Sequence, residues 1–194
     1  KTFKESFGDT RLDRRGNEII RSLLVRSTHS IRQFSQSSSQ QKACYRFLEN
    51  ERTTEDIIIQ SIGKRCAASV KDKVVLSIQD TTEINLYNHK NRIKHDGSIG
   101  VTNAAKNGLG FMLHPSLVID AVTCFPYGYS HIHVFNRSLE RELRESRDLH
   151  RYKQLGMAEK ESNKWLSSCQ ATKVVLKDAA MVIIVQDREG DIYE

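Results

Sequence analysis

Residues 74–80 read Val-Val-Leu-Ser-Ile-Gln-Asp, and residues 181–187 read Met-Val-Ile-Ile-Val-Gln-Asp. Each is a short apolar run that ends in Gln-Asp, which is typical of a buried β-strand followed by a loop. Side chains alternate along a strand, so Asp80 and Asp187 each share a face with every second apolar residue before them. The second run is apolar on both faces, which predicts a central strand in a covered sheet.

The two aspartates form a candidate metal site. A carboxylate that follows an apolar strand face is costly to desolvate unless another group compensates its charge. If the two strands are neighbours, Asp80 and Asp187 meet and supply oxygen ligands for Mg²⁺ or Mn²⁺. Asp also starts turns and caps helices at strand ends, so one such Asp alone would indicate little. Asp120 ends a third apolar run and is the alternative partner, although Ala121 and Val122 continue its pattern.

The remaining elements of the second half predict an α/β fold. Strands are expected at residues 109–122 and 125–135, and an exposed helix over the densely charged residues 139–153. An amphipathic helix is expected from residue 159 to about residue 177. The side chains expected to face the sheet from this helix are Trp165, Leu166, Cys169 and Val174. This order of elements is typical of a sheet packed against helices.

Neither the histidines nor the cysteines predict a zinc site. His131 and His133 share a strand face, but the sequence offers no evident third ligand. The cysteines are at least 22 residues apart, which is typical of isolated buried thiols in a reducing cytoplasm. They are Cys44, Cys66, Cys124 and Cys169.

The charge of the 194-residue chain is concentrated at one end. The net charge is +6, and residues 1–75 carry 15 Lys and Arg against 9 Asp and Glu. A basic module followed by a neutral one predicts a polyanion-binding part attached to a second domain. Every apolar run is far shorter than the roughly 20 residues of a membrane span, and no secretory leader is expected.

The basic module is predicted to be helical. A helix is expected over residues 10–26, and a polar loop over residues 27–41. A short helix over residues 42–50 follows, with Ala43, Phe47 and Leu48 on one side. The capping-box-like pair Thr53 and Asp56 predicts the start of another helix.

Several short helices with basic side chains resemble a compact DNA-binding domain. A single Arg or Lys usually solvates a helix face, so the prediction of DNA contact depends on the set. No long basic amphipathic helix is present, which disfavours binding to a membrane surface. The candidate DNA-contacting residues are Arg11, Arg14, Arg15, Arg21, Arg26, Arg32, Lys42, Tyr45, Arg46, Lys64 and Arg65.

Five motifs together resemble bacterial cut-and-paste transposases of the Tn-five type, in the insertion-sequence-four family. In chain order they are Gly-Asp-Thr-Arg-Leu-Asp-Arg-Arg at 8–15, Cys-Tyr-Arg-Phe-Leu at 44–48, Gln-Asp-Thr-Thr at 79–82, Glu-Lys-Glu-Ser-Asn-Lys-Trp-Leu at 159–166 and Asp-Arg-Glu-Gly-Asp-Ile at 187–192. The last two are specific, whereas the first alone would be weak.

The resemblance implies two domains. Residues 1–70 would be a small all-helical domain that binds transposon ends. Residues 71–194 would be the first part of an RNase H-like core, an incomplete mixed sheet with flanking helices. Asp80 and Asp187 take the places of the first two members of the Asp-Asp-Glu triad, which binds Mg²⁺ or Mn²⁺. Arg188 would approach the DNA backbone or form a surface salt bridge.

The same resemblance implies a DNA transposase whose partners are double-stranded transposon ends and a second copy of the chain. The location implied is the bacterial cytoplasm, at the nucleoid. The third carboxylate of the family lies further along, and nothing aligns Glu189, Asp191 or Glu194 with it. We therefore expect a fragment that binds DNA without cleaving it by itself. The alternative is a DNA-binding or inhibitory truncated transposase without catalysis.

Overall fold

The computed structural model describes residues 2–93, 99–102, 108–137 and 162–190. The chain divides into two compact units, Lys1–Arg65 and Cys66–Glu194. Each has a hydrophobic core of its own. The exposed helix expected over residues 139–153 and the first residues of the helix expected from residue 159 lie outside the described residues.

The first unit is helical. Its elements are α1 (Thr10–Arg26), α2 (Ile31–Phe34), α3 (Ser38–Leu48) and the first part of α4 (Glu55–Ser69). The division between the units falls inside α4, and the boundary expected after residue 70 lies at the end of the same helix.

Side-chain caps determine where these helices begin. The Asp9 carboxylate accepts a hydrogen bond from the backbone N–H of Arg11 at 2.8 Å, which caps α1. The Ser37 hydroxyl accepts from the N–H of Gln40 at 3.2 Å, so α3 begins at Ser38. The expected start at residue 42 was therefore too late, because the serine-rich stretch supplies a cap.

The capping pair predicted before α4 was wrong by one residue. Thr54, rather than Thr53, holds the first turn, since its hydroxyl accepts from the N–H of Ile57 at 3.3 Å. The helix begins at Glu55, and its first turn carries Glu55 and Asp56, whose negative charges suit a helix N-terminus.

Three phenylalanines, Phe3, Phe7 and Phe47, form the buried core of the first unit. Phe7 and Phe47 meet edge to face with ring centroids 5.4 Å apart. Gly16 of α1 allows this packing, because a Cβ at that position would lie 2.6 Å from Cδ2 of Phe3. A glycine is required here because the ring of Phe3 leaves no room for a side chain, and not because the backbone adopts a positive φ.

One apolar residue that the helical pattern placed inward is exposed. Cys44 and Phe47 are the buried residues of α3, and Leu48 is 52% exposed, contrary to the expected inward position. Leu24, near the end of α1, is also exposed. The packing of Phe47 against the other phenylalanines fixes which side of α3 faces the core, and Leu48 lies off that side.

The second unit contains a mixed sheet. Its strands are β1 (Val74–Gln79), β2 (Thr82–Asn85), β3 (Gly100–Val101), β4 (Leu109–Asp120), β5 (Pro126–Phe135) and β6 (Met181–Val185). The order is β2-β4-β1-β6, and β3 and β5 also pair with β4. The β1–β6 pairing is parallel and the others are antiparallel. The β2 and β3 strands were not predicted.

The expected strands over residues 109–122 and 125–135 correspond to β4 and β5. The β4 strand ends at Asp120, two residues before the expected end. Pro126 is the first residue of β5, where a missing N–H costs no ladder bond. The β4–β5 register shifts between Ser116 and Leu117 and again between Val118 and Ile119. Pro115 lies one residue before the position of the first shift, and prolines within sheets are typical of such irregular positions.

One helix, α5 (Asn163–Val175), packs against β4 and β5. Its buried residues are Lys164, Trp165, Ser168 and Thr172. Leu166 and Val174, which were expected to face the sheet, are exposed. Trp165 sets the orientation of the helix, and the Thr172 hydroxyl lies 3.0 Å from that of Ser130. The sheet surface beneath α5 is partly polar, which explains why serine and threonine replace the expected apolar side chains.

Among the described residues, β6 pairs with β1, and no described strand pairs with its other side. Three of its side chains, Met181, Ile183 and Val185, are exposed in this part of the structure. The central position expected for β6 therefore stays a prediction.

All four cysteines are free thiols, as expected. Cys44 and Cys66 are buried, and burial raises the pKa of Cys66 to about 11. Cys124 is exposed, so the expectation that all four thiols are buried was wrong. In the described parts of the chain, no helix combines the length and apolar character that crossing a membrane requires.

Candidate functional site

The two Gln-Asp pairs come together at the ends of β1 and β6. These strands pair in parallel, and one residue beyond the last paired position Nε2 of Gln186 donates to Oε1 of Gln79 at 2.8 Å. Continued by one more residue, the same register predicts Asp80 beside Asp187, on the side opposite the two glutamines. Because adjacent strands are about 4.8 Å apart, we expect the two carboxylates to lie close to each other at this end of the sheet.

Both aspartates are exposed. The buried face of β1 carries Val75, Ser77 and Gln79. The desolvation cost that the pattern suggested for Asp80 therefore does not apply. One of its oxygens, Oδ1, accepts from the N–H of Thr81 at 2.7 Å. This bond fixes the orientation of the carboxylate at the end of the strand.

Side-by-side carboxylates repel each other unless a proton or a cation lies between them. Their oxygens are hard ligands of the kind that Mg²⁺ and Mn²⁺ prefer, so Asp80 and Asp187 fit such a cation. Among the described residues, no group of three or more His, Cys, Asp or Glu side chains could hold a metal ion. Asp191, Glu194 and the side chain of Glu189, considered as third ligands, lie outside the described part.

A network of side chains supports the two strand ends from the buried face. Gln79 is buried, and Nε2 of Gln186 lies 3.2 Å from Sγ of Cys169 on α5 as well as 2.8 Å from Oε1 of Gln79. Sequence reasoning treated the glutamines only as part of a repeated motif. The repeated motif was nevertheless a usable signal for their role, because a glutamine precedes the aspartate in both strands. In the structure the two glutamines form a hydrogen bond with each other.

Asp120, the alternative partner, lies at the other end of the sheet. Asp120 of β4 is the register partner of Val75, near the start of β1 and far from Asp80 along the strand. Its carboxylate accepts hydrogen bonds from the N–H groups of Val122 and Thr123 and from the hydroxyl of Tyr127. These bonds hold the pKa of Asp120 well below its ordinary value. Asp120 therefore stabilises the β4–β5 turn.

Three histidines lie on the sheet face that α5 covers. The register places His133 opposite His114 and His131 opposite Ser116. Burial lowers the pKa of all three, and that of His114 falls to about 4, with the positive charge of Lys164 as the second cause. None of them belongs to a potential metal-binding group within the described ranges. These histidines are neutral near pH 7, which suits a buried face.

The candidate DNA-contacting residues of the first unit are on the surfaces of its helices, where each is exposed or half-buried. The set comprises Arg11, Arg14, Arg15, Arg21 and Arg26 on α1, Arg32 on α2, Lys42, Tyr45 and Arg46 on α3, and Lys64 and Arg65 on α4. Tyr45 is exposed as well as Arg46, so both can reach a ligand outside the helix.

Some of these cations already have partners. Arg14 and Arg15 pair with Glu18 at 3.8 and 2.8 Å, and such exposed pairs contribute little stability. Nη1 of Arg65 donates to the hydroxyl of Thr2 at 2.8 Å. The Glu18 carboxylate partly offsets the positive charge of α1 near the middle of that helix.

A shallow cleft of about 360 Å³ lies beside the C-terminal half of α1. Its lining residues are Arg21, Ser22, Val25, Arg26, Phe34 and Gln36. Two exposed arginines thus flank a cleft with a partly apolar floor. Arg188, in contrast, belongs to the second unit, where it is exposed in a 3₁₀ turn directly after Asp187.

Comparison with known proteins gives one finding for the first unit. Residues 2–53 match the family model described as transposase DNA-binding. This segment contains α1, α2 and α3, which carry most of the candidate DNA-contacting residues. The match supports a transposase in general terms and DNA as its partner. No curated protein matches the chain.

Proposed function

We propose that the chain acts in cut-and-paste DNA transposition by metal-dependent cleavage and strand transfer at transposon ends. The observation that carries this proposal is the parallel pairing of β1 with β6, together with the Gln79–Gln186 hydrogen bond, which brings the two Gln-Asp pairs to the same end of the sheet. The antiparallel β5-β4-β1 order with a parallel β6 supports an RNase H-like core of the Tn-five type. The family match over residues 2–53 supports the DNA-binding part.

In this proposal Asp80 and Asp187 would hold Mg²⁺ or Mn²⁺ through their carboxylate oxygens. When bound, such ions activate a water or a DNA 3′-hydroxyl and stabilise the leaving oxygen. Arg188 follows Asp187 directly and is exposed, so it contacts the phosphate backbone beside the two carboxylates. The family resemblance implies a third carboxylate further along the chain, and none of the described residues supplies it.

The helices of the first unit bind duplex DNA at transposon ends, and two copies of the protein act on paired ends in the bacterial nucleoid. The positive excess of the first 75 residues supports this part of the proposal, since phosphate contacts account for most of the salt dependence of DNA binding. Arg21 and Arg26 flank the cleft beside α1 and are the first candidates for phosphate contact.

The DNA-binding part is tested on the full chain by measuring affinity for duplex DNA against salt concentration. Replacing Arg11, Arg21 and Arg26 with Gln should reduce the log–log salt slope by about 0.9 for each phosphate that is no longer neutralised. The matched control replaces three exposed cations of the second unit, Lys71, Lys173 and Lys177, with Gln. Equal slopes in the arginine variant and the wild type would contradict this assignment.

The metal site is tested by Mn²⁺ titration followed by electron paramagnetic resonance. Asp80→Asn and Asp187→Asn should each abolish tight binding, whereas Asp178→Asn, an exposed aspartate that precedes β6, should not. We also expect DNA binding without nicking of supercoiled DNA by this 194-residue chain. Nicking that disappears in Asp80→Ala would show that another group completes the site. DNA binding without aspartate-dependent Mn²⁺ binding would favour a DNA-binding or inhibitory protein without catalysis.

A further inference from the structure

The connection between β1 and β2 is an interruption in one continuous register, not a turn. Gln79 at the end of β1 pairs with Ser116 of β4, and Thr82 at the start of β2 pairs with Leu113. The residues from Gln79 to Thr82 therefore correspond one to one to the residues from Ser116 back to Leu113, so the register against β4 does not change. The two residues at 80–81 lie alongside β4 without being paired to it in the ladder.

The continued register places Asp80 opposite Pro115 and Thr81 opposite His114. Proline has no N–H, so Pro115 cannot donate a ladder hydrogen bond at this point. The interruption therefore has a cause in the sequence of β4. Because the ladder does not hold the backbone of Asp80 there, other interactions must fix it.

Thr81 makes two such interactions. Its hydroxyl lies 2.9 Å from Nδ1 of His114, within hydrogen-bond distance. Its backbone N–H donates to Oδ1 of Asp80 at 2.7 Å. The side chain of Thr81 is thus held by β4, while its backbone holds the carboxylate of Asp80. The two bonds connect His114 to Asp80 through one residue.

His114 is itself held firmly. It is fully buried, and its ring meets that of Trp165 edge to face, with centroids 4.4 Å apart. In the described part of the chain its Nε2 atom is buried without a hydrogen-bond partner, so the contact with Thr81 is the one described hydrogen bond of the ring. A buried polar atom without a partner is destabilising, and an apolar side chain would avoid that cost.

We propose that His114 and Thr81 are positioning residues that orient the Asp80 carboxylate for cation binding. They act through Asp80 and do not touch the substrate. The proposal rests on the proposed function, because it assigns a metal-binding role to Asp80. The N–H of Thr81 holds Oδ1, so the orientation of the Asp80 carboxylate is already fixed and Oδ2 can bind a cation. Less conformational entropy of the side chain is then lost when the cation binds.

The test compares isosteric and conservative variants of the full chain by Mn²⁺ titration. Thr81→Val removes the hydroxyl at nearly constant volume, and Thr81→Ser keeps it. Thr81→Val should weaken Mn²⁺ binding about tenfold, as removal of outer-shell partners commonly does, and Thr81→Ser should stay within about twofold of the wild type. Ser77→Ala, which removes a buried hydroxyl from β1 that is not bonded to Thr81, is the matched control.

His114→Leu should weaken Mn²⁺ binding to the same extent, and His114→Asn should restore part of it, since the Asn amide lies where Nδ1 lies. The double variant of Thr81→Val with His114→Leu should bind no more weakly than either single variant, because each breaks the same connection. Unfolding followed by Trp165 fluorescence separates folding from positioning. If His114→Leu does not fold, the Thr81→Val and Thr81→Ser pair decides alone.

The possible results separate the two proposals. If Asp80→Asn abolishes Mn²⁺ binding and Thr81→Val leaves it unchanged, the positioning role is wrong and the proposed function stands. If Mn²⁺ binding in the wild type does not depend on Asp80, the proposed function fails and the positioning role fails with it. Weakened binding in Thr81→Val with wild-type binding in Thr81→Ser is the result that supports the inference.

Discussion

The burial of His114 makes the stability of the second unit depend on pH. Desolvation is the largest cause of its lowered pKa, about 4 against 6.5 in an unfolded chain, followed by the positive charge of Lys164 and the effect of His133. Between pH 6.5 and pH 4 the unfolded chain binds a proton at this position and the folded chain does not. The stability that the neutral ring contributes is therefore complete above pH 6.5 and is lost as the pH falls toward 4.

At pH 4.5 this decrease in stability amounts to about 2–3 kcal/mol, because each pKa unit is worth about 1.4 kcal/mol. The assay is urea unfolding at several pH values, followed by the fluorescence of Trp165, the single tryptophan of the chain. His131 and His133 also have lowered pKa values, so the decisive comparison is with His114→Asn, which retains both.

The variant should be less stable at pH 7.5, because a polar group of different shape occupies a buried site. Its stability should nevertheless decrease less than that of the wild type on acidification, by about 2–3 kcal/mol at pH 4.5. Parallel stability curves for the two proteins between pH 7.5 and 4.5 would refute the reasoning, since they would show that His114 titrates normally.

Three further predictions concern the described packing. Gly16→Ala should destabilise the first unit by about 1–2 kcal/mol in hydrogen exchange, because its Cβ would overlap the ring of Phe3 by more than helix propensity gains; an unchanged or increased stability would contradict this. Asp13→Ala should cost about 1–3 kcal/mol in the same measurement, since the carboxylate accepts from the N–H groups of Ser6 and Phe7; exposed Val25→Ala is the control, and equal effects would contradict the assignment. Among the native thiols, Cys124 should react first with a thiol reagent, and faster labelling of a buried cysteine would contradict the exposed position.

The strands that carry the aspartates were predictable because strong apolar periodicity marks them. Val74–Gln79 and Met181–Val185 are strands, and their parallel pairing follows from the crossover through a helix. The number of strands beside β6 could not be predicted, since an apolar pattern records side-chain chemistry and not the number of neighbouring strands. The same limit applies to α5, where Leu166 and Val174 are exposed while Thr172 is buried.

The candidate site was only partly predictable. Asp80 and Asp187 were found because each ends a recognisable run. Thr81 and His114 gave no such signal, because their contact depends on the register between β1, β2 and β4. Pairing registers follow from tertiary packing, which a periodicity of two along one strand does not determine.

The most direct test of the proposed metal site is anomalous X-ray scattering from crystals grown with Mn²⁺. The proposal predicts an anomalous peak between the carboxylates of Asp80 and Asp187, within coordination distance of an oxygen of each. The peak should be absent from crystals of Asp80→Asn grown under the same conditions. A well-ordered structure in which Mn²⁺ binds elsewhere, or in which the two carboxylates lie too far apart to share an ion, would contradict the proposed site.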